Sequence, residues 1–141
     1  MRIQLPTLTL TLLTLSPTAL TLGINCRGSS NCAQPDAPAL INLVALIDNI
    51  DPNRWYDNGQ QIACQNEAFL QGAVCAFLQN SGGAPGSSII TLARDLRDHG
   101  CAVCGSVPLF FPQGDNNVDD GELTVNWTGN SCCSGSNCIC P

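Results

Sequence analysis

Cys101 and Cys104, separated by two residues, form the motif in which this chain comes nearest to reactive chemistry. Such a pair can cycle between dithiol and disulfide, or it can supply two thiolates to a tetrahedral zinc site. Eight further cysteines accompany it: Cys26, Cys32, Cys64, Cys75, Cys132, Cys133, Cys138 and Cys140. Neither a redox motif nor half a zinc site needs so many, whereas ten cysteines in an oxidising compartment read as a disulfide framework. The structural reading therefore outweighs the chemical one. His99 is the single histidine. A general base needs an activated nucleophile and an orienting acid at hand, and Asp98 adjoins it only in sequence. In the last turn of a helix, favourable interaction with the carbonyl ends accounts for it. No catalytic residue, cofactor or metal ligand is assigned, and the chain is read as a non-enzyme.

Three other segments carry groups that could meet a ligand or a modification. Asp115-Asn116-Asn117-Val118-Asp119-Asp120-Gly121-Glu122 alternates oxygen donors like the start of a calcium loop. Its glycine falls one place late and its twelfth position is Asn126, so a solvated acidic turn fits better. Val107-Pro108-Leu109-Phe110-Phe111-Pro112 sets two adjacent phenylalanines in a proline-bracketed loop, in a chain with four phenylalanines in all. Leu109, Phe110 and Phe111 are the candidate contact with a target, as an apolar anchor. The competing reading has them cover the core or the sheet edge. Asn126-Trp127-Thr128 is a glycosylation sequon, which a strand with a buried neighbour would hinder.

The start of the chain sets the compartment. Met1 to Thr21 has one positive charge, Arg2, followed by an apolar run from Leu8 to Leu15 that is too short to span a bilayer. With the small-residue exit at Ala19-Leu20-Thr21, residues 1–21 read as a secretory signal, and 22–141 as one domain with a cysteine-rich tail from Cys132. The mature segment sets four arginines and no lysine against eleven carboxylates, a formal charge of −7. That balance disfavours nucleic acid and anionic lipid as partners, because both are held by Lys and Arg. No second apolar run suits a transmembrane helix, and the tail lacks the hydrophobic stretch of a lipid-anchor signal. A freely secreted extracellular protein is expected.

The elements that must position these residues follow from periodicity and punctuation. Gly23 to Arg27 reads as a short strand and Gly28 to Asn31 as a loop. Asp36 is expected to cap a helix with Pro38 in its first turn, running to the breaker Asp51-Pro52-Asn53. Leu40, Leu43, Val44 and Ile47 form its apolar face, widened by Ile41, Ala45 and Leu46. Gln60 to Cys64 and Ala73 to Leu78 read as a strand pair, although a helix over Glu67 to Leu78 is not excluded by period. After a flexible Gly82 to Gly86, Ser87 or Ser88 should cap a second helix that buries Ile89, Leu92, Ala93 and Leu96. Arg94, Asp95, Arg97 and Asp98 lie elsewhere on it, and Gly100 stops it. Cys101 to Cys104 and Leu123 to Trp127 are expected as strands, the latter opened by an Asp120-Gly121 turn. The order implies an α+β sandwich, with two helices packed on one face of a mainly antiparallel sheet.

Four stretches resemble the killer protein four family of fungal killer toxins. They are Leu22 to Cys32, Gly59 to Cys64 with Cys75 to Gln79, His99 to Leu109, and Gly121 to Asn126. The resemblance implies a disulfide-held α/β sandwich that is secreted, starts at Leu22 and is not an enzyme. It implies cross-links from Cys26 to Cys101 and from Cys32 to Cys104, with the partners of Cys64, Cys75, Cys132, Cys133, Cys138 and Cys140 left open. It also implies growth inhibition of target fungi by blocking calcium entry, hence a membrane channel or cell-surface protein as partner and an antifungal or virulence role. The chain departs from the family at definite places. The family's viral toxin is basic, with a lysine tied to activity where this chain has Ile62. Tyr56 follows Trp55 where the toxin has cysteine, and Cys138 and Cys140 have no counterpart. A surface or wall binding module that kept the scaffold and lost channel block is the alternative function.

Overall fold

A computed structural model describes residues 23–67, 71–114 and 116–141. The expected signal segment, residues 1–21, and Leu22 lie outside the described residues, as does Asp115 of the acidic run. Two α-helices and seven strands are described: α1 (Leu40–Ile47), β1 (Trp55–Tyr56), β2 (Gln61–Asn66), β3 (Ala73–Gln79), β4 (Ala84–Pro85), α2 (Gly86–Asp98), β5 (Gly105–Pro108), β6 (Glu122–Thr128) and β7 (Cys138–Ile139). Five strands form one antiparallel sheet in the order β5-β6-β3-β2-β7, while β1 and β4 pair separately. The expected α+β, disulfide-rich architecture is what the chain adopts.

Alternation along the strands divides the sheet into two faces. Val74, Ala76 and Leu78 of β3 join Leu123 and Val125 of β6 and Val107 of β5 beneath the helices, where they meet Leu40, Leu43, Val44 and Ile47 of α1 and Ile89, Leu92, Ala93 and Leu96 of α2. The opposite face carries a smaller cluster. Cys64, Ala73, Cys75 and Cys140 are buried there, with Phe77, Cys132 and Cys133 packed against them. The C-terminal segment thus covers the side of the sheet that has no helix.

Several boundaries differ from expectation, and the reasons are local. Residues 23–27 make a single bridge rather than a strand: Asn25 exchanges two backbone hydrogen bonds with Ser106 (3.0 and 2.8 Å). Its own Oδ1 then accepts from the Arg27 amide at 3.1 Å, turning the chain away. Residues 30–33 are not open loop but a 3₁₀ turn capped by the Ser29 hydroxyl. Asp36 does not cap α1, which begins at Leu40; the Leu40 amide donates to the Ala102 carbonyl instead (2.8 Å). That helix ends at Ile47, and Ile41 and Ala45 face solvent, so its apolar face is narrower than the sequence suggests. The Gly82 to Gly86 stretch includes β4 and the start of α2. Neither Ser87 nor Ser88 caps α2, because main-chain carbonyls of Arg54 and Pro52 take the Gly86 and Ser87 amides at 2.8 and 2.9 Å. Gly86 is required there, since a Cβ would lie 2.1 Å from the Asp51 oxygen. At the other end Gly100, with φ of +98°, ends α2 as expected. Cys101 to Cys104 is not a strand; β5 begins only at Gly105, after both cysteines have been drawn aside to their partners. Asp120-Gly121 closes a 3₁₀ turn, Val118–Asp120, rather than a two-residue hairpin.

Candidate functional site

The sulfurs settle what chemistry is open to the cysteines. Cys26 is bonded to Cys101 and Cys32 to Cys104, so no dithiol exists across the Cys-x-x-Cys spacing. Cys64 and Cys75 are register partners on β2 and β3, with Cα atoms 4.1 Å apart, and are bonded directly across the strands. Cys132 is bonded to Cys140 and Cys133 to Cys138, and no cysteine is free. The sulfurs of Cys64, Cys132 and Cys133 lie within 4.8 Å of one another, a spacing suited to a soft metal ion. Each is spent in a disulfide, which leaves no thiolate to ligate one. Three disulfides therefore stack on the helix-free face, with Cys132 Sγ 3.7 Å from Cys64 Sγ and from Cys138 Sγ.

The remaining candidates separate by their surroundings. His99 is exposed at the C-terminal end of α2, and the carboxylate of Asp98 is taken by Arg97 at 2.8 Å rather than by the imidazole. The acidic run is organised by Asn117, whose Oδ1 accepts from the Asp119 amide at 3.1 Å. Asn126 lies in β6, half-buried, and its Oδ1 accepts from the amides of Ser29 (2.8 Å) and Trp127 (2.9 Å). The sequon asparagine thereby pins the N-terminal loop to the sheet, a role that its spacing alone does not reveal.

Leu109, Phe110 and Phe111 do not act alike. The Leu109 amide donates to Gly121 O (3.0 Å) and the Phe111 amide to Pro108 O (3.1 Å), forming a tight turn after β5. Leu109 and Phe111 are half-buried against the core, and with Ser87, Ser88, Thr91 and Leu92 they line a shallow 360 Å³ groove beside α2. Phe110, between them, is 57% exposed. Leu109 and Phe111 thus cover the core, whereas Phe110 is left exposed. Ile62, which stands where the family resemblance puts a lysine, is 0% exposed and part of the helix-side core. A cation at this position would be buried, not presented.

The tail is tied down by pieces far apart in sequence. β7 pairs with β2, Gln61 Oε1 accepts from the Cys132 amide (2.7 Å), and the Cys140 amide donates to Ile62 O (2.9 Å). The Arg54 guanidinium donates to the main-chain oxygens of Cys140 (3.2 Å) and Pro141 (2.7 Å) while lying 4.6 Å over the Tyr56 ring. Among the described residues, no helix is long and apolar enough to cross a membrane.

Comparison with known proteins covers most of this framework. A family model described as Kp4 matches residues 9–129. The KP4 killer toxin of Ustilago maydis P4 virus is similar to this chain at 34% identity over 122 residues, which is 82% of the chain and 87% of the toxin. The frame formed by Cys26–Cys101, Cys32–Cys104 and Cys64–Cys75 lies inside the matched span, whereas the disulfides of the tail lie beyond it. By the extent of this match, the chain belongs to the Kp4 family of killer toxins.

Proposed function

We propose that the chain is a secreted, non-enzymatic killer-toxin-like effector that acts on the surface of a target cell and inhibits calcium entry there. Family membership supports the toxin role, and five disulfides are consistent with an extracellular life. Residues 1–21 serve as the secretory signal and 22–141 as the mature effector. The observation that carries the contact itself is Phe110, an exposed aromatic held between two residues anchored in the core. Its backbone is already ordered by the anchored residues on either side, so binding has only the ring itself to immobilise, which is the usual economy of an interface anchor. Charge is not the means of engagement: the mature segment has no lysine and a formal −7, and position 62 is buried.

Purified mature protein added to sensitive fungal cells tests this reading. Growth and calcium uptake should both fall, and excess calcium should relieve the effect. Phe110→Ala should weaken inhibition at least tenfold, as loss of a hot-spot aromatic of about 1.4 kcal/mol or more would. Potency should persist when salt is raised, because an apolar contact is not screened. Full activity of Phe110→Ala, together with inhibition that disappears in moderate salt, would overturn the proposal and point to an arginine-based contact.

A further inference from the structure

We propose that the helix-free face of the sheet carries a binding groove for a neutral oligosaccharide. The groove, 420 Å³, opens between the start of β2, the end of β3 and the end of β6. Its size falls within the roughly 300–1,000 Å³ typical of small-molecule sites. None of its nine lining residues is charged. Asn58, Gln79, Asn80 and Asn130 supply amides, Thr128 a hydroxyl oxygen whose proton goes to Asn130 O (2.6 Å), and Phe77 an aromatic ring that is half-buried on this face.

Asn58, Gln79 and Asn80 are each held at one end of the amide, which leaves the other end for a ligand. Asn58 Oδ1 accepts from the Ser81 amide (3.1 Å), which leaves its NH₂ group as a donor. Gln79 Oε1 accepts from the Thr124 hydroxyl (2.8 Å), again leaving a donor. Asn80 is reversed: its Nδ2 donates to Val118 O (3.4 Å), and its carbonyl oxygen is kept as an acceptor. At the far end Gln61 braces the wall, with Nε2 donating to Asn130 O at 3.1 Å while Oε1 holds Cys132. Fixed, uncharged, mixed donors and acceptors match groups that both donate and accept, which is the property of a sugar hydroxyl. The electron-rich face of Phe77 suits the weakly positive C–H face of a pyranose ring. A phosphate or other anion would find no cation, and an acyl chain would strand the amides without partners. The ligand class that remains is a neutral glycan, of the kind exposed on a cell wall. This inference gives the wall-binding alternative its ligand and stands whether or not calcium entry is blocked.

The test is retention of mature protein on neutral β-glucan, mannan and chitin, and on an anionic polysaccharide, measured without cells. Wild type should be retained on at least one neutral polymer and not on the anionic one, with no loss when salt is raised to about 0.5 M. Gln79→Ala, at an exposed position, should lower retention several-fold. Phe77→Ala should lower it tenfold or more, and Phe77→Tyr should restore it. Ile41→Ala, on the helix side, should bind like wild type. Absence of retention on every neutral polymer, preference for the anionic one, loss of binding in salt, or equal retention of Gln79→Ala and Phe77→Ala would each overturn the proposal. Because cells are absent, failure here leaves the calcium measurement unaffected, and the reverse.

Discussion

Glu122 is a carboxylate whose surroundings change its behaviour. It stands on the helix-free side of β6, where burial pushes its pKa above the ordinary glutamate value; the hydroxyls of Ser106 and Thr124 pull it partly back, and Asp119 adds repulsion. The sign follows directly. A carboxyl with a raised folded-state pKa favours the protonated form in the fold, so its contribution is fully present below the ordinary glutamate pKa and is lost as pH rises through the folded value. Glu67 and Asp95 are shifted the same way by burial, Asp95 with added repulsion from Asp98. Stability should therefore decline from mildly acidic pH toward neutral. Glu122→Gln should be more stable than wild type at pH 7 and indistinguishable at about pH 3, below the glutamate range, in paired denaturant titrations. A Glu122→Gln gain of the same size at both pH values would show that the effect is not ionisation.

At the scale of elements, the two helices differ in how well their surroundings could be inferred. The apolar positions of α2 and the core four of α1 follow from 3.6-residue periodicity, because a helix against a sheet must bury one stripe. The width of that stripe does not follow. Ile41 is as apolar as Ile47, yet one is 61% exposed and the other fully buried, since only the sheet decides which flank it reaches. The caps were hidden for a related reason: the acceptors for Leu40, Gly86 and Ser87 are carbonyls of Ala102, Arg54 and Pro52, which local sequence cannot bring together. Cys101 to Cys104 has strand composition but is diverted by two disulfides whose partners lie over 70 residues away. The loop of phenylalanines could be recognised; which ring faces outward could not, and the amides of the groove carry no motif at all. Leu43→Ala should cost about 2–5 kcal/mol by lost burial plus a cavity, while Ile41→Ala should change stability by less than about 0.5 kcal/mol. Equal costs would mean that α1 presents a different face.

For the molecule as a whole, the disulfides are unequal in what they restrain. Cys26–Cys101 and Cys32–Cys104 close loops of 75 and 72 residues, against 8 and 5 for the two in the tail. The two long loops overlap, each starting and ending within a few residues of the other, so once one is shut the other closes only a small ring. On the loop-entropy scale, losing either alone should cost about 2.5 kcal/mol, and losing both about 7 kcal/mol. Urea unfolding of Cys26→Ser, Cys32→Ser and the double variant, each with its former partner also changed to serine, would show this non-additivity. Additive losses would mean that the pairs restrain separate parts of the unfolded chain.

The same overlap bears on resistance to proteolysis. With no lysine, trypsin can cut residues 22–141 only after Arg27, Arg54, Arg94 and Arg97. Arg94 and Arg97 lie in α2, and Arg54 is engaged with the tail, so cleavage there needs local opening. Arg27 is exposed, but Cys26 on one side and Cys32 on the other are bonded to Cys101 and Cys104, one helical turn apart in sequence. A cut at Arg27 should add one water to the intact mass and release nothing until reductant is supplied, so that the folded body survives its most accessible nick. Release of an N-terminal fragment without reductant would show that the bracket is open. A killer protein of this design would persist not by lacking weak points but by keeping both sides of the weakest one attached.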